Sequence, residues 1–273
     1  MMNLFLLTFG KASTLLWSMP NIVRAVHCLA PPATPMTIDI MVWLTDLKKS
    51  IVTDTKTFNE REINSGFTHF VSDTKRNIVI YRKEECEKVL AHELCHALNM
   101  DISLYNNRNL TCHLNEKYCD QLPLLSETFT ESMAIYITCA LNSNQNWGKC
   151  QSNFKEQIQH SICTCQNIIH SGKKISASIN HYHLFKTAIF LQQKTKSNVL
   201  GYLVKHHRDT GRFIDEHNSK DYIGHVLETS EKFGKSYINS HTKCKISNKM
   251  TMSTNLDSLA HFKKKTQLTI NKI

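Results

Sequence analysis

The sequence lacks several features that would assign a function at once. It has no apolar run long enough to cross a bilayer, which needs about 20 residues. It also contains no glycine-rich phosphate loop, no helix-turn-helix or finger signature, no paired C-x-x-C spacing and no internal repeat. These absences argue against a membrane-spanning protein, a nucleotide-binding enzyme and the common nucleic-acid-binding modules. The composition is otherwise that of an ordinary globular protein.

The positive charge of the chain is unevenly distributed. The formal net charge is +10 over 273 residues. Residues 241–273 contain seven lysines and one aspartate, a net +6, including the cluster Lys263–Lys265. We expect this segment to be a poorly ordered basic tail. It could touch nucleic acid or an acidic membrane, but a solvated tail is the commoner case, so nucleic acid is not expected as a partner.

The amino-terminal segment, residues 1–35, has two interpretations. Leu4–Phe9 resembles a short signal-peptide core, yet no positive charge precedes it and Lys11 interrupts it. The alternative is an amphipathic first helix of a cytosolic protein. A proline-rich linker, residues 31–35, follows and is predicted to precede the folded domain, residues 36–240. Secretion and cytoplasmic residence therefore stay open as alternatives.

The chain has ten cysteines, which is many for its length. In an oxidising compartment they could form disulfides, but no spacing dictates a pairing. Cys112 and Cys119 flank a polar loop that also holds a glycosylation sequon at Asn109. Cys163 and Cys165, with nearby histidines, could be imagined as a second metal site, although the paired spacing of such sites is missing.

The segment Val89–Leu98 contains the pattern HExxH. On a helix, His92 and His96 project from the same face and can occupy neighbouring corners of a tetrahedral zinc site. Glu93 reaches the same cleft and can take a proton from a zinc-activated water without binding the metal. The flanking apolar residues recur at helical spacing, so the helix can pack into a core while its other side faces a cleft. These residues are Val89, Leu90, Leu94, Ala97 and Leu98.

The surrounding segments predict an α+β fold. Three strands precede the HExxH helix, at Thr37–Leu44, Thr68–Val71 and Asn77–Tyr81, the last two forming a hairpin. We expect them to form a small twisted sheet behind the helix. After residue 122 almost every periodic segment is helical. The predicted helices cover residues 126–141, 149–169, 181–194, 197–208 and 220–235.

A catalytic zinc normally has three protein ligands and one open position. The metzincin arrangement needs Gly at position 99 and His at position 102, and this chain has Asn99 and Ile102. A later segment offers another donor. Ser126 is a reasonable N-cap for a helix, and Glu127 and Glu131 share one face of that helix.

At these residues the chain resembles the gluzincins, the HExxH zinc peptidases whose third ligand is a glutamate on a downstream helix. The resemblance is confined to the two short helices, and Thr128 stands where the family often has glycine. It implies a zincin-like fold, with a sheet-plus-helix lobe and a mainly helical lobe around one Zn2+. The implied zinc ligands are His92, His96 and Glu127.

The resemblance also assigns the remaining roles. Glu93 would be the general base, and Glu131 would accept the outer N–H of a ligating histidine. Glu131 is also the next candidate if Glu127 is not a ligand. Related enzymes supply an oxyanion donor from a downstream Tyr or His, for which Tyr182 is preferred over Tyr202 and His206–His207. Tyr182 could equally belong to a core stripe.

The sequence therefore predicts a zinc metallopeptidase, a hydrolase acting on a peptide or protein substrate. Two alternatives are kept. The first is a zinc-stabilised binding or structural protein without hydrolytic activity, which would not need Glu93. The second is a basic interaction module that acts through residues 241–273. The oligomeric state and the cleavage specificity have no signal in the sequence.

Overall fold

The computed structural model describes residues 2–8, 15–30, 34–45, 65–83, 85–101, 122–143, 146–170, 177–191, 199–210, 212–215 and 218–238. Within these residues the chain forms four strands and seven helices. The strands are β1 (Met2–Thr8), β2 (Thr37–Thr45), β3 (Gly66–Ser72) and β4 (Lys75–Arg82). The helices are α1 (Leu15–Leu29), α2 (Cys86–Ala97), α3 (Leu122–Asn142), α4 (Trp147–His170), α5 (Ala177–Leu191), α6 (Val199–Thr210) and α7 (Ser219–Ile238).

The four strands form one mixed sheet in the order β1-β2-β4-β3. β1 and β2 are parallel, as are β2 and β4, whereas β3 runs antiparallel to β4 and forms an edge of the sheet. The predicted β2 and the predicted β3–β4 hairpin are confirmed. Alternate residues of β2 and β4 are buried, as expected when one sheet face packs against helices. These residues are Ile38, Ile40, Val42, Ile78 and Ile80.

The first thirty residues contain a strand and a helix, so the first helix that one interpretation predicted is present as α1. Met2–Thr8 is a strand, and it pairs with β2 along its whole length. α1 follows and contributes Met19, Ile22 and Val26 to the main apolar core. The structured chain therefore begins well before position 36. The sequence of a short apolar run is compatible with a strand, a helix or a signal-peptide core. Here the pairing of the run with β2 identifies it as a strand.

α2 is the central element of the fold. It packs against α1, α3, β3 and β4, and its predicted apolar residues all lie in the core. The predicted helices that follow are confirmed, with ends that differ by a few residues. α3, α4 and α5 enclose a second, smaller apolar cluster. Because α2 lies between the sheet and α3, its polar face meets α3 directly.

The fold is thus α+β, with a small sheet at the amino-terminal side and helices after it. No helix among the described residues is both long and apolar enough to cross a membrane. The basic tail, residues 241–273, and the loop that carries Asn109, Cys112 and Cys119 lie outside the described residues.

Gly66 allows β3 to approach α2 closely. A Cβ atom at this position would lie 2.8 Å from the carbonyl oxygen of Val79 and 2.8 Å from a methyl group of Val89. We therefore expect Gly66→Ala to lower the free energy of unfolding by about 1–3 kcal/mol, measured by urea denaturation. Gly224→Ala in α7 is the control, because nothing lies within 4 Å of its added Cβ. That change should stabilise the helix by up to about 1 kcal/mol, and equal effects of both changes would contradict the packing argument.

Candidate metal centre

The end of α2 determines where the chain goes after the second histidine. Asn99 has a left-handed backbone (φ 55°), which asparagine tolerates better than most residues. The amide of Asn99 bonds to the carbonyl of His96 at 2.9 Å, and the amide of Met100 bonds to that of Cys95 at 3.0 Å. This is the Schellman pattern of helix termination. It turns the chain back, so that Asp101 lies beside the helix it has just left.

Asp101 is a functional contact that the sequence analysis missed. Its Oδ2 lies 2.9 Å from Nδ1 of His96, and the carboxyl group is buried. Ser126 of α3 donates a hydrogen bond to the same Oδ2. Asp101 therefore orients the His96 ring and links it to α3. The sequence signal for this contact was an acidic residue, Asp101, placed two positions after an asparagine that could end the helix.

α3 begins at Leu122, one turn earlier than predicted. Pro123 lies in the first turn, where a missing N–H costs nothing. Ser126 was predicted as the N-cap, and that prediction was wrong. The serine lies inside the helix, and its hydroxyl donates to Asp101 instead. The predicted placement of Glu127 and Glu131 on one helical face is correct.

The three predicted ligands meet at one point. The Nε2 atoms of His92 and His96 are 3.1 Å apart. Glu127 contacts both rings, with Oε2 3.1 Å from Nε2 of His92 and Oε1 3.3 Å from Nε2 of His96. A tetrahedral zinc with bonds of about 2.0–2.1 Å separates its ligand atoms by about 3.3 Å. The separations of 3.1–3.3 Å between these groups are close to that value, with a different oxygen of Glu127 facing each ring.

This group is the only one of its kind in the described part of the chain. Cys163 is disulfide-bonded and Cys165 belongs to the second apolar cluster, so the second metal site considered above gains no support. Cys95 is free and fully buried, as expected of a small apolar side chain in α2.

Further side chains surround the histidines. Oε2 of Glu131 lies 3.4 Å from Nδ1 of His92, at the predicted outer position, although the contact is too long and poorly aligned for a good hydrogen bond. Thr130 lies between the rings on the α3 side, with Oγ1 3.4 Å and 3.3 Å from the Nε2 atoms of His92 and His96. Its hydroxyl can donate to the carbonyl of Glu127, 3.0 Å away. A lone pair of the same oxygen can then face the two histidine nitrogens.

Glu93 projects toward the edge strand. Thr68 of β3 lies with its hydroxyl 2.8 Å from Oε2 of Glu93 and 3.0 Å from the backbone carbonyl of the same residue. Glu93 is buried, and its side-chain contact with Thr68 is made through Oε2 alone. No sequence signal pointed to Thr68, because the contact depends on how β3 lies across α2.

Most of the carboxylates at this site are buried. Five carboxylates lie in this region, four of them buried, and Lys88 and Lys186 contact two of the buried ones. The carboxylates belong to Glu85, Glu93, Asp101, Glu127 and Glu131. Charges in a poorly solvated place need compensation, so buried carboxylates favour cationic partners.

The nearby carboxylates raise the pKa values of both histidines. Burial alone would lower the pKa of His92, but Glu127, Glu131 and Glu93 outweigh it and raise the pKa to about 10. Burial opposes the charged form of His96 as well, yet Asp101 and Glu127 raise its pKa to about 9. Burial would raise the pKa of Glu127, and the two histidines instead hold it far below its usual value. In the absence of a metal the carboxylates thus favour proton binding by the histidine pair, while each histidine opposes the charging of the other.

α5 brings Tyr182 to the same region. Burial, followed by the charges of Glu131, Glu127 and Glu85, raises the pKa of its hydroxyl well above the usual value. The phenol is therefore a hydrogen-bond donor at neutral pH. Its role as oxyanion donor stays a prediction.

The alternative histidine donors have other partners. Nε2 of His206 lies 2.7 Å from Oδ2 of Asp215. His207 contacts the carbonyl of Leu29 and stacks on Phe213. These contacts hold α6 to the neighbouring segments.

Comparison with protein-family models, with curated proteins and with solved structures gives no match for this chain. The interpretation of the site therefore depends on its residues and their geometry.

The pKa values predict how metal-free protein responds to pH. A histidine whose pKa is raised by folding stabilises the fold fully below its unfolded value of about 6.5, and this contribution is lost as pH rises through the folded value. With folded values of about 10 and 9 for His92 and His96, chelator-treated protein should lose stability between pH 7 and pH 10. Urea unfolding at several pH values measures this.

Apparent zinc affinity should rise over the same interval, because the metal competes with these protons. The His92→Gln/His96→Gln variant is the control and should show a smaller loss of stability with pH. If the stability of the metal-free wild type rose steadily from pH 7 to pH 10, the raised pKa values of the two histidines would be contradicted.

Proposed function

We propose that this chain is a zinc-dependent metallopeptidase with a zincin-like fold, and that His92, His96 and Glu127 hold one Zn2+. The observation that carries the proposal is the convergence of two Nε2 atoms, 3.1 Å apart, on the carboxylate of Glu127, which has one oxygen 3.1 Å from His92 and the other 3.3 Å from His96. It is supported by the hydrogen bond between Asp101 and the outer nitrogen of His96, and by the carboxylate of Glu131, which lies 3.4 Å from the outer nitrogen of His92. Its substrate would be a peptide or protein.

The residues around the ion have distinct roles in this proposal. Zinc, when bound, would supply a Lewis acid that acidifies water and polarises a carbonyl group. Glu93 would take the proton of the attacking water and deliver it to the leaving amine. Thr68 holds one oxygen of Glu93, which leaves the other to face the water. Tyr182 is the proposed donor to the oxyanion.

The layout of the sheet agrees with the same proposal. Among the described strands β3 is at one edge of the sheet, and it lies against α2 at the level of Glu93. An extended peptide that paired with this edge would pass beside the general base. The exposed side chains Phe67, Phe70 and Val71 on β3 offer apolar contacts along that path.

The alternative is a zinc protein without hydrolytic activity. A purely structural site is usually closed by four protein ligands. Only three candidate ligands converge here within the described residues, and the side chain of Glu127 is 41% exposed. A site that is open on one side and adjoined by a buried, oriented carboxylate favours catalysis.

Two substitutions separate metal binding from hydrolysis. We expect His92→Ala to abolish stoichiometric zinc, measured by elemental analysis of protein purified without chelator. Glu93→Gln should retain zinc and lower the hydrolysis of a casein or peptide-library substrate by at least about 100-fold, as expected for a general base. Glu156→Gln on the exposed face of α4 is the control and should change neither.

The absence of zinc from the wild-type protein would reject the proposal. Retained zinc with no hydrolysis of any substrate, or full hydrolysis by Glu93→Gln, would favour the non-catalytic alternative.

The contact between Thr68 and Glu93 gives a more specific prediction. Thr68→Val removes the hydroxyl but keeps the shape of the side chain, so Glu93 should lose its fixed orientation. We expect kcat to fall by about 10–100-fold, because small misplacements of catalytic groups have effects of this size. Thr68→Ser should restore most of the activity. Zinc content should be unchanged in both variants, and a loss of zinc in Thr68→Val would show that the threonine acts on the metal site instead.

A further inference from the structure

A group of charged side chains lies behind His92, on the Nδ1 side of its ring. We call it the lysine–glutamate cluster; it consists of Lys88, Lys186, Glu85 and Glu131. Nζ of Lys88 lies 2.6 Å from Oε1 of Glu131 and 3.6 Å from Oε1 of Glu85. Nζ of Lys186 lies 3.8 Å from the same Oε1 of Glu131. The proposed hydrolysis uses only Glu131 among these residues.

The two oxygens of Glu131 have different partners. Oε1 contacts both lysines, whereas Oε2 is 3.4 Å from Nδ1 of His92. A glutamate carboxyl group rotates easily about its last torsion. The short contact with Lys88 opposes that rotation and keeps Oε2 on the histidine side.

Stability alone does not account for this cluster. Desolvating buried ions is costly, and apolar residues of similar volume often serve a fold equally well. Glu131, Glu85 and Lys186 are each less than a tenth exposed. Lys88 is also spaced four residues before His92, so it lies on the same face of α2 as both histidines.

We propose that Lys88 is a positioning residue for the metal centre, assisted by Lys186. By fixing Oε1 of Glu131, it holds Oε2 before Nδ1 of His92. Neutral His92 then carries its proton on Nδ1, and the lone pair of Nε2 points toward Glu127. This inference rests on the proposed function only in that the site binds zinc, and it does not require hydrolysis.

The connection to the fold explains why Lys88 has the main part. Glu85 has a left-handed backbone (φ 62°) directly before α2, and its side chain approaches Lys88 from there. Lys88 thus joins the start of α2 to α3 through Glu131. Lys186 reaches the cluster from α5 and lies 5.3 Å above the ring of Tyr182. Its longer contact with Glu131 predicts a smaller effect.

The test is the affinity of purified full-length protein for Zn2+, measured by competition with a chromophoric chelator. Lys88→Met should weaken binding by about 10–100-fold, the usual effect of removing outer partners of a metal ligand. Lys88→Arg keeps the charge and should recover most of the affinity. Lys75→Met is the matched control, since Lys75 is a surface lysine that pairs with Asp39 at 3.4 Å. It should leave the affinity unchanged.

A double-mutant cycle shows whether Lys88 acts through Glu131. In the Glu131→Gln background, Lys88→Met should change the zinc affinity less than about twofold, because the group it positions is already altered. The visible spectrum of the Co2+-substituted protein should change in Lys88→Met and not in Lys75→Met. If Lys88→Met fails to fold, Lys186→Met should show a smaller change in the same direction.

The outcomes distinguish the two proposals. Wild-type affinity in Lys88→Met, or equal losses in both backgrounds of the cycle, would overturn the role of Lys88 and leave the metallopeptidase proposal standing. A wild-type protein that binds no zinc would overturn both.

Discussion

Two imidazole nitrogens that lie 3.1 Å apart and face one carboxylate form an arrangement that can share a proton or hold a cation. Much of the surrounding structure positions these three groups. α2 supplies both rings from one face, and α3 crosses it at the point where Glu127 meets them. Asp101 and Glu131 then approach the outer nitrogens of the rings, each from a different part of the backbone. The centre is thus held by helices on one side and by a turn on the other.

The part of the site that could be predicted from the sequence is the part that depends on local periodicity. Spacing along a helix places His92 with His96, and Glu127 with Glu131, whatever the rest of the fold does. The same reasoning predicted β2 and the hairpin, since short segments rich in branched and aromatic residues favour strands. The meeting of the two helices was inferred from resemblance, and the donor distances agree with it.

The contacts that escaped prediction depend on tertiary geometry. Asp101 reaches His96 only because Asn99 adopts a left-handed turn. Thr68 reaches Glu93 only because an edge strand lies across α2. The sequence of β1 resembles a signal-peptide core, and only its pairing with β2 identifies it as a strand. Ser126 resembled an N-cap because its hydrogen bond to the turn that follows α2 cannot be read from the sequence. The spacing between Lys88 and His92 can be seen in the sequence. The significance of this spacing depends on the contact between Lys88 and Glu131, which only the structure provides.

The three proposed ligands differ in exposure, which would have a kinetic consequence for a bound ion. The side chains of His92 and His96 are about a tenth exposed, whereas that of Glu127 is 41% exposed. Solvent therefore reaches the centre past the carboxylate, and an ion held there would have the same route in and out. Metal exchange and the arrival of a reactant would use the same opening beside Glu127. A molecule bound at this opening would slow the dissociation of the ion, so reactant binding and metal retention would be coupled without any change in the fold.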